Sequence, residues 1–254
     1  MIRKCEDTAL HRNQPLEELH SMALKAVAKE FRQIHTKQHI ETLWRQGEFE
    51  RHPVLLGEGT NTVFLSDLQR PVFKIALKGV EIVKETDTDV QVRVGAGVEW
   101  HQFVTWAVTQ QYGGVENLAL IPGSAGAAPV QNIGAYGVEL SDVFQELEAF
   151  SLTRGTFEIL RSEDCRFGYR NSLFKYGEPE WLICSVTMRL TKHHHSIHRS
   201  YQSLQNYFER RCIRDPGIGD IYQAVCEIRK SKLPDPRILP NCGSFFKNPV
   251  ISED

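Results

Sequence analysis

Apolar positions in this chain fall into many short runs separated by polar turns. Val90-Gln91-Val92-Arg93-Val94 alternates strictly and predicts a half-buried strand. Val54-Leu55-Leu56, Val72–Leu77, Phe144–Leu152, Phe157–Leu160 and Trp181–Leu190 read as further strands, and Val63-Phe64-Leu65 is strand-like. Between Glu99 and Thr109 the spacing changes: Trp100, Phe103, Val104, Ala107 and Val108 recur every three or four residues and predict an amphipathic helix before Gly113-Gly114. Helices are also expected near Gln38–Arg45, over Tyr201–Arg211 and over Asp220–Ser231. The last sets Ile221, Val225 and Ile228 on one face and Arg229 and Lys230 near its C-terminus, where the helix dipole favours cations. Lys232-Leu233-Pro234-Asp235-Pro236 stops it. Residues 1–20 are polar and expected to be helical or frayed. The pattern predicts an α+β chain with many strands and few helices.

Composition narrows the function classes. The 254 residues can bury a full core, and 41% hydrophobic with 24% charged residues is ordinary for a soluble globular protein. A formal net charge of −2 gives no basic field for nucleic acid. No apolar run approaches the length of a membrane span, and the N-terminus (Met1 to Asp7) lacks the apolar stretch of a secretory signal. Six scattered cysteines without CxxC spacing favour free thiols in a reducing cytoplasm. His193-His194-His195, with His198 nearby, has no acid or cysteine spaced to complete a metal site and reads as a solvated linker. No metal is expected.

The candidate chemistry lies in the glycines. Residues 122–137 contain Gly123, Gly126, Gly134 and Gly137, the small Ala125, Ala127 and Ala128, and the polar Ser124, Gln131, Asn132 and Tyr136. Such a stretch exposes backbone amide and lets a ligand approach closely, and it reads either as a cradle for an anionic or heteroaromatic cofactor or as a glycine-rich surface loop. Gly57-Glu58-Gly59-Thr60-Asn61 follows a strand and suits a pyrophosphate, but it lacks the third glycine and the following helix of the dinucleotide fingerprint. Gly95-Ala96-Gly97 repeats the theme after Val90–Val94. Three glycine turns after β-type runs suggest one ligand surrounded by several loops.

Three further segments carry polar groups: Cys165-Arg166-Phe167-Gly168-Tyr169-Arg170-Asn171-Ser172, Lys232 ahead of its Pro-Asp-Pro, and Asn241-Cys242-Gly243-Ser244-Phe245-Phe246-Lys247-Asn248-Pro249. Taken singly, Arg170 could be a surface ion pair, Ser244 a turn residue and Lys232 a helix cap. Together with Pro-Val-Gln-Asn-Ile-Gly-Ala-Tyr-Gly at 129–137, they make the chain from about residue 25 to residue 251 resemble the UDP-N-acetylenolpyruvoylglucosamine reductases, the MurB family of peptidoglycan precursor synthesis. The resemblance implies a PCMH-type FAD-binding domain, with Gly57, Glu58, Gly59, Thr60 and Asn61 and the loop residues Pro122, Gly123, Ser124, Gly126, Ala127, Gln131, Asn132, Gly134, Ala135, Tyr136 and Gly137 around the cofactor. It implies NADPH as reductant and hydride delivery to the enolpyruvyl ether of a UDP-sugar. Negative charge then develops beside the substrate carboxylate. Arg170 matches the family's arginine for that carboxylate, and Ser244 matches its proton donor. Tyr169, Tyr201, Lys232 and Asn248 match substrate-side positions, Tyr201 on a loop over the substrate.

Two departures from the family are visible. Its Asn-Thr-Phe-Gly word has no counterpart, Met22-Ala23-Leu24-Lys25 standing near its place, so a rebuilt or mispaired first strand is expected. Family members also continue well beyond Gly-Ser-Phe-Phe-Lys-Asn-Pro to a late glutamate, whereas this chain stops at Asp254, and Glu253 is too near the serine to take that role. The expected organisation is a variable segment at 1–20, a FAD-binding domain at 21–192 and an incomplete α+β substrate-binding domain at 193–254. The expected function is the cytoplasmic reductase, the alternative being a catalytically inactive FAD-binding protein of the same lineage.

Overall fold

The computed structural model describes residues 9–176, 179–243 and 248. Its first sheet has the order β1-β2-β4-β3, built from β1 (His11–Pro15), β2 (Val27–Ile34), β3 (Val54–Leu56) and β4 (Val72–Ile75). β1 lies antiparallel to β2, whereas β2 and β3 flank β4 in parallel. Between β2 and β3 runs α1 (Lys37–Arg45), whose N-terminus is capped by the Thr36 side chain accepting from the His39 N–H. The second sheet is antiparallel throughout, with the order β10-β9-β11-β6-β5. It comprises β5 (Val80–Glu85), β6 (Asp89–Gly95), β9 (Phe144–Ser151), β10 (Thr156–Arg161) and β11 (Trp181–Thr191). A small hairpin, β7 (Gly134–Ala135) and β8 (Val138–Glu139), interrupts the glycine-rich loop.

β11 is buried on both faces, and its sequence shows how. Leu182 and Cys184 face a cluster with Phe73, Ile75 and Phe150, between the two sheets. Ile183 faces the opposite way, into the main core, and so do Val186, Met188 and Leu190. An odd residue and three even ones can share a face because a register irregularity falls between Ile183 and Ser185. The main core also takes Val90, Val92 and Val94 from β6, Trp100, Phe103, Val104 and Ala107 from α2 (Trp100–Thr109), and Leu147 and Ala149 from β9. The helices after residue 193, α4 (Gln202–Arg210) and α5 (Ile218–Lys232), pack on this same core through Leu204, Phe208, Ile221 and Val225. A single turn of helix, α3 (Ser162–Cys165), follows β10. Cys165 and Cys184 are buried free thiols, pushed up to about 12 by desolvation.

Two sequence expectations are corrected here. Within 1–20, the described part is neither α-helical nor frayed: it forms β1 and one 3₁₀ turn at Glu17–Leu19, anchored by the fully buried Leu16. As an edge strand β1 exposes most of its side chains, so it carries no alternation to detect. Val63–Leu65 is not a strand. Only Phe64 finds a core position, edge-on to His20 with ring centroids 4.9 Å apart, and Leu65 is 91% exposed.

Candidate functional site

The three glycine turns meet where the sheets face each other. A cleft of about 350 Å³ lies between β3 and β11, and Leu55, Gly57, Ala96, Gly126, Ala127 and Leu182 are among its lining residues. Each turn touches another at a glycine. A Cβ at Gly126 would stand 2.5 Å from the Cβ of Ala96, one at Gly57 would stand 2.8 Å from Ser124 Oγ, and one at Gly123 would stand 3.2 Å from Thr60 Oγ1. Gly59 has φ +64°, and a Cβ there would run into the Leu19 carbonyl and His20. The segment before residue 21 therefore backs the first glycine turn, and the Ser21 N–H donates to the Gly59 carbonyl at 3.2 Å.

Close approach, rather than amide exposure, explains much of the glycine-rich loop. The amides of Ala125 and Gly126 donate to the carbonyls of Val98 and Ala96 at 2.8 and 2.9 Å, and the Trp100 N–H donates to the Gly123 carbonyl at 2.9 Å. The loop is thus zipped to residues 96–100, and residues 125–131 coil into a 3₁₀ helix. This corrects the expectation that those two amides stand free for a ligand. The Asn132 side chain is likewise turned inward, with Nδ2 donating to Glu139 and Ser141 at 2.7 and 3.2 Å and Oδ1 accepting from the Ser141 N–H. Two lysines that sequence reasoning passed over stand at the cradle. Lys74 Nζ lies 3.3 Å from the Glu58 carboxylate and 3.4 Å from the Gly57 carbonyl, and Lys78 Nζ donates to the Gly97 carbonyl. Their signal was available: a lysine inside, and another just after, an otherwise apolar run.

On the other side of the loop, residues 168–175 grip residues 130–134. Arg170 Nη2 donates to the Gly134 carbonyl at 2.6 Å, Ser172 Oγ to the Val130 carbonyl at 2.7 Å, and Lys175 Nζ to the Arg170 carbonyl at 2.6 Å. Arg170, Asn132 and Tyr136 all hold left-handed backbone (φ +51°, +43° and +50°), a conformation that persists where surrounding contacts impose it. The Tyr136 ring meets the Tyr201 ring edge-on at 5.4 Å. Arg229, in the last turn of α5, feels the charges of Tyr136 and Arg170. Burial pushes its guanidinium below the usual arginine value, Tyr136 opposes that, and the charge of Arg170 adds to it. Its buried Nε has no hydrogen-bond partner among the described residues. Arg170 and Arg229 thus feel each other's charge, and a positive field of this kind favours an anion.

The entry to the loop rests on a histidine. His101 Nδ1 accepts from the Leu120 N–H at 3.1 Å, its ring stacks on Tyr222 at 5.8 Å, and Leu120 itself is left-handed at φ +56°. Burial pushes the His101 imidazole below its ordinary value. The folded chain then takes up this proton later than the unfolded chain as pH falls. Stability is full above the ordinary histidine value of about 6.5 and is lost below it. Thermal midpoints between pH 7.5 and 5 should fall in the native chain and fall less in His101→Gln. Equal slopes would exclude His101 as the origin.

Comparison with known proteins bears on this geometry. A model of the FAD binding domain family matches residues 29–160. The UDP-N-acetylenolpyruvoylglucosamine reductase of Flavobacterium johnsoniae is 40% identical over 240 residues, covering 94% of this chain and 71% of that protein. The enzyme of the same name from Pseudomonas fluorescens is 39% identical over 237 residues, covering 93% of this chain and 70% of its own. The chain belongs to the UDP-N-acetylenolpyruvoylglucosamine reductase family. A solved structure of the reductase from Thermus caldophilus shares the fold, with a TM-score of 0.68 at 21% identity, over 95% of this chain and 76% of that one.

The α+β architecture is thus that of an FAD-binding domain, and the cradle fits the cofactor. Glycine and alanine at 57, 96, 126 and 127 leave a slot between the sheets that larger side chains would fill. Of the positions singled out by the reductase resemblance, Arg170, Tyr136 and Tyr201 are linked through the glycine-rich loop. Tyr169 is exposed beside Arg170, Lys232 is exposed three residues beyond Arg229, and Asn248 is exposed. Ser244 lies outside the described residues. The segment after 192, read as a solvated linker, is tied down: His195 Nδ1 shares a 2.6 Å hydrogen bond with Thr191 Oγ1. No helix among the described residues is long and apolar enough to cross a membrane.

Proposed function

We propose that this chain binds FAD and reduces the enolpyruvyl ether of UDP-N-acetylglucosamine enolpyruvate to UDP-N-acetylmuramate with electrons from NADPH, in the cytoplasm. The observation that carries the reading is the convergence of three glycine turns into a slot, with Arg170 braced against the far side of the same loop. FAD, when bound, supplies hydride transfer. The chain supplies the rest. Residues 21–192 form the cofactor-binding part, the turns at 57–61 and 122–137 hold the cofactor, and the substrate-binding part begins at 193. Arg170 presents a planar fork to the substrate carboxylate as that group gains charge, and Arg229 adds a second cation. Ser244 gives a proton to the carbon beside the carboxylate. Tyr169, Tyr201, Lys232 and Asn248 contact the UDP-sugar.

The first test is the visible spectrum of the purified, desalted chain, which should show flavin bands near one equivalent. Anaerobic addition of NADPH should bleach them, and the UDP-sugar should restore them. A colourless chain that takes up no added FAD would overturn the cofactor assignment. A yellow chain that NADPH bleaches but the UDP-sugar does not restore would be a flavin-binding protein, and the reductase reading would fall.

A further inference from the structure

Asn117 is 1% exposed and lies in the 3₁₀ turn Glu116–Leu118, between Gly113-Gly114 and the glycine-rich loop. Its Nδ2 is shared between two carbonyls. One belongs to Tyr136 at 3.1 Å, in the glycine-rich loop, and the other to His198 at 2.8 Å, three residues before Tyr201. The turn is itself fixed: Trp100 Nε1 donates to the Leu118 carbonyl at 3.0 Å, and Glu116 Oε2 accepts from the Gly114 N–H at 2.6 Å. A continuous path therefore runs from Arg170 through the Gly134 carbonyl, along the loop to Tyr136, through Asn117 to His198, and on to Tyr201. The Tyr136–Tyr201 ring contact closes it. Asn117 Oδ1 is buried with no partner among the described residues, so nothing on that side holds the amide, and its position rests on the two donated bonds.

We infer that Asn117 is a positioning residue that ties the Tyr201 segment to the cofactor loop, so that the substrate-side tyrosine is set relative to Arg170. This rests on the reductase reading for what Tyr201 touches; the tie itself does not. Only a side chain with two N–H donors on one atom can hold both carbonyls from this place. An aspartate of the same shape would face both carbonyls with oxygen and repel them.

The test is hydrogen exchange of the full chain, without substrate, comparing the native protein with Asn117→Asp. Loss of the two bonds should speed exchange in the peptide 196–203 by about tenfold while the α1 peptide 37–45 stays unchanged. Unchanged exchange at 196–203, or acceleration throughout the chain, would overturn the tie. Should the buried aspartate not fold, Asn117→Ser, smaller and uncharged, is measured in the same way with the same expectation. UDP-sugar binding, followed by perturbation of the flavin spectrum, separates positioning from mere support. Asn117→Asp should weaken binding about tenfold in the native background and scarcely at all in Tyr201→Ala, because the tie then has nothing to position. Additive losses would overturn the inference. A native chain that bound FAD but no UDP-sugar would sink the reductase reading, and the exchange result would still decide the tie.

Discussion

Gly126→Val should give a chain that folds but purifies without colour. The new Cβ would stand 2.5 Å from the Cβ of Ala96 and 2.9 Å from its Cα, so backbone rather than a flexible side chain has to move. The same residue donates its amide to the Ala96 carbonyl at 2.9 Å, so the loop cannot back away without losing that bond. Overpacking of this kind costs about 1–3 kcal/mol, and the γ-methyls add bulk beside the slot, so FAD affinity should drop by about 100-fold or more. Gly219→Ala is the control. Gly219 sits exposed in α5 with open space around its Cβ position, and alanine there should raise stability by about 0.5–1 kcal/mol and leave FAD binding alone. Titration of both apoproteins with FAD, read by fluorescence quenching, checks the pair. A Gly126→Val chain with native affinity would show that the slot between the turns does not hold the cofactor.

Arg170→Ala, in protein loaded with FAD, should leave reduction by NADPH within about twofold and slow reoxidation by the UDP-sugar by about 100- to 1,000-fold. The asymmetry follows from the proposed role, in which the guanidinium faces charge that appears only when the substrate is being reduced. Arg170 also donates to the Gly134 carbonyl, so alanine loosens the loop as well. Arg170→Lys separates the two effects. It keeps a cation but loses the planar fork, and should still slow reoxidation by about tenfold or more. Ser244→Ala should show the same split between half-reactions. Stopped-flow measurement of each half-reaction decides it, and equal losses in both would remove Arg170 from the substrate side.

The parts of this molecule that needed a particular residue type were legible. Glycine at 57, 59, 123 and 126 is required by close approach or by positive φ, and the turns stand out in sequence for that reason. Helix α2 was legible because its core face recurs every three or four residues. Much of what escaped lies in two physical classes. Edge strands such as β1 and β5 expose much of both faces, so neither shows a clean alternation. Tertiary polar contacts are the other class. Asn117 and His101 matter through partners 19 to 121 residues away, and no local pattern marks them. The three apolar residues Val63–Leu65 misled in the opposite sense, since only Phe64 is covered.

The order of the second sheet has a consequence for how the protein is made. Ala96, the residue on which Gly126 closes, has its own N–H held by the Cys184 carbonyl, and β6 pairs with β11 from Asp89 opposite Thr191 to Gly95 opposite Ser185. These partners lie about a hundred residues apart, a separation at which loop closure slows folding. During synthesis the slot cannot form until β11 has left the ribosome. Cofactor loading is therefore a late event, and the nascent chain passes through a stage in which β6 has β5 beside it but not β11.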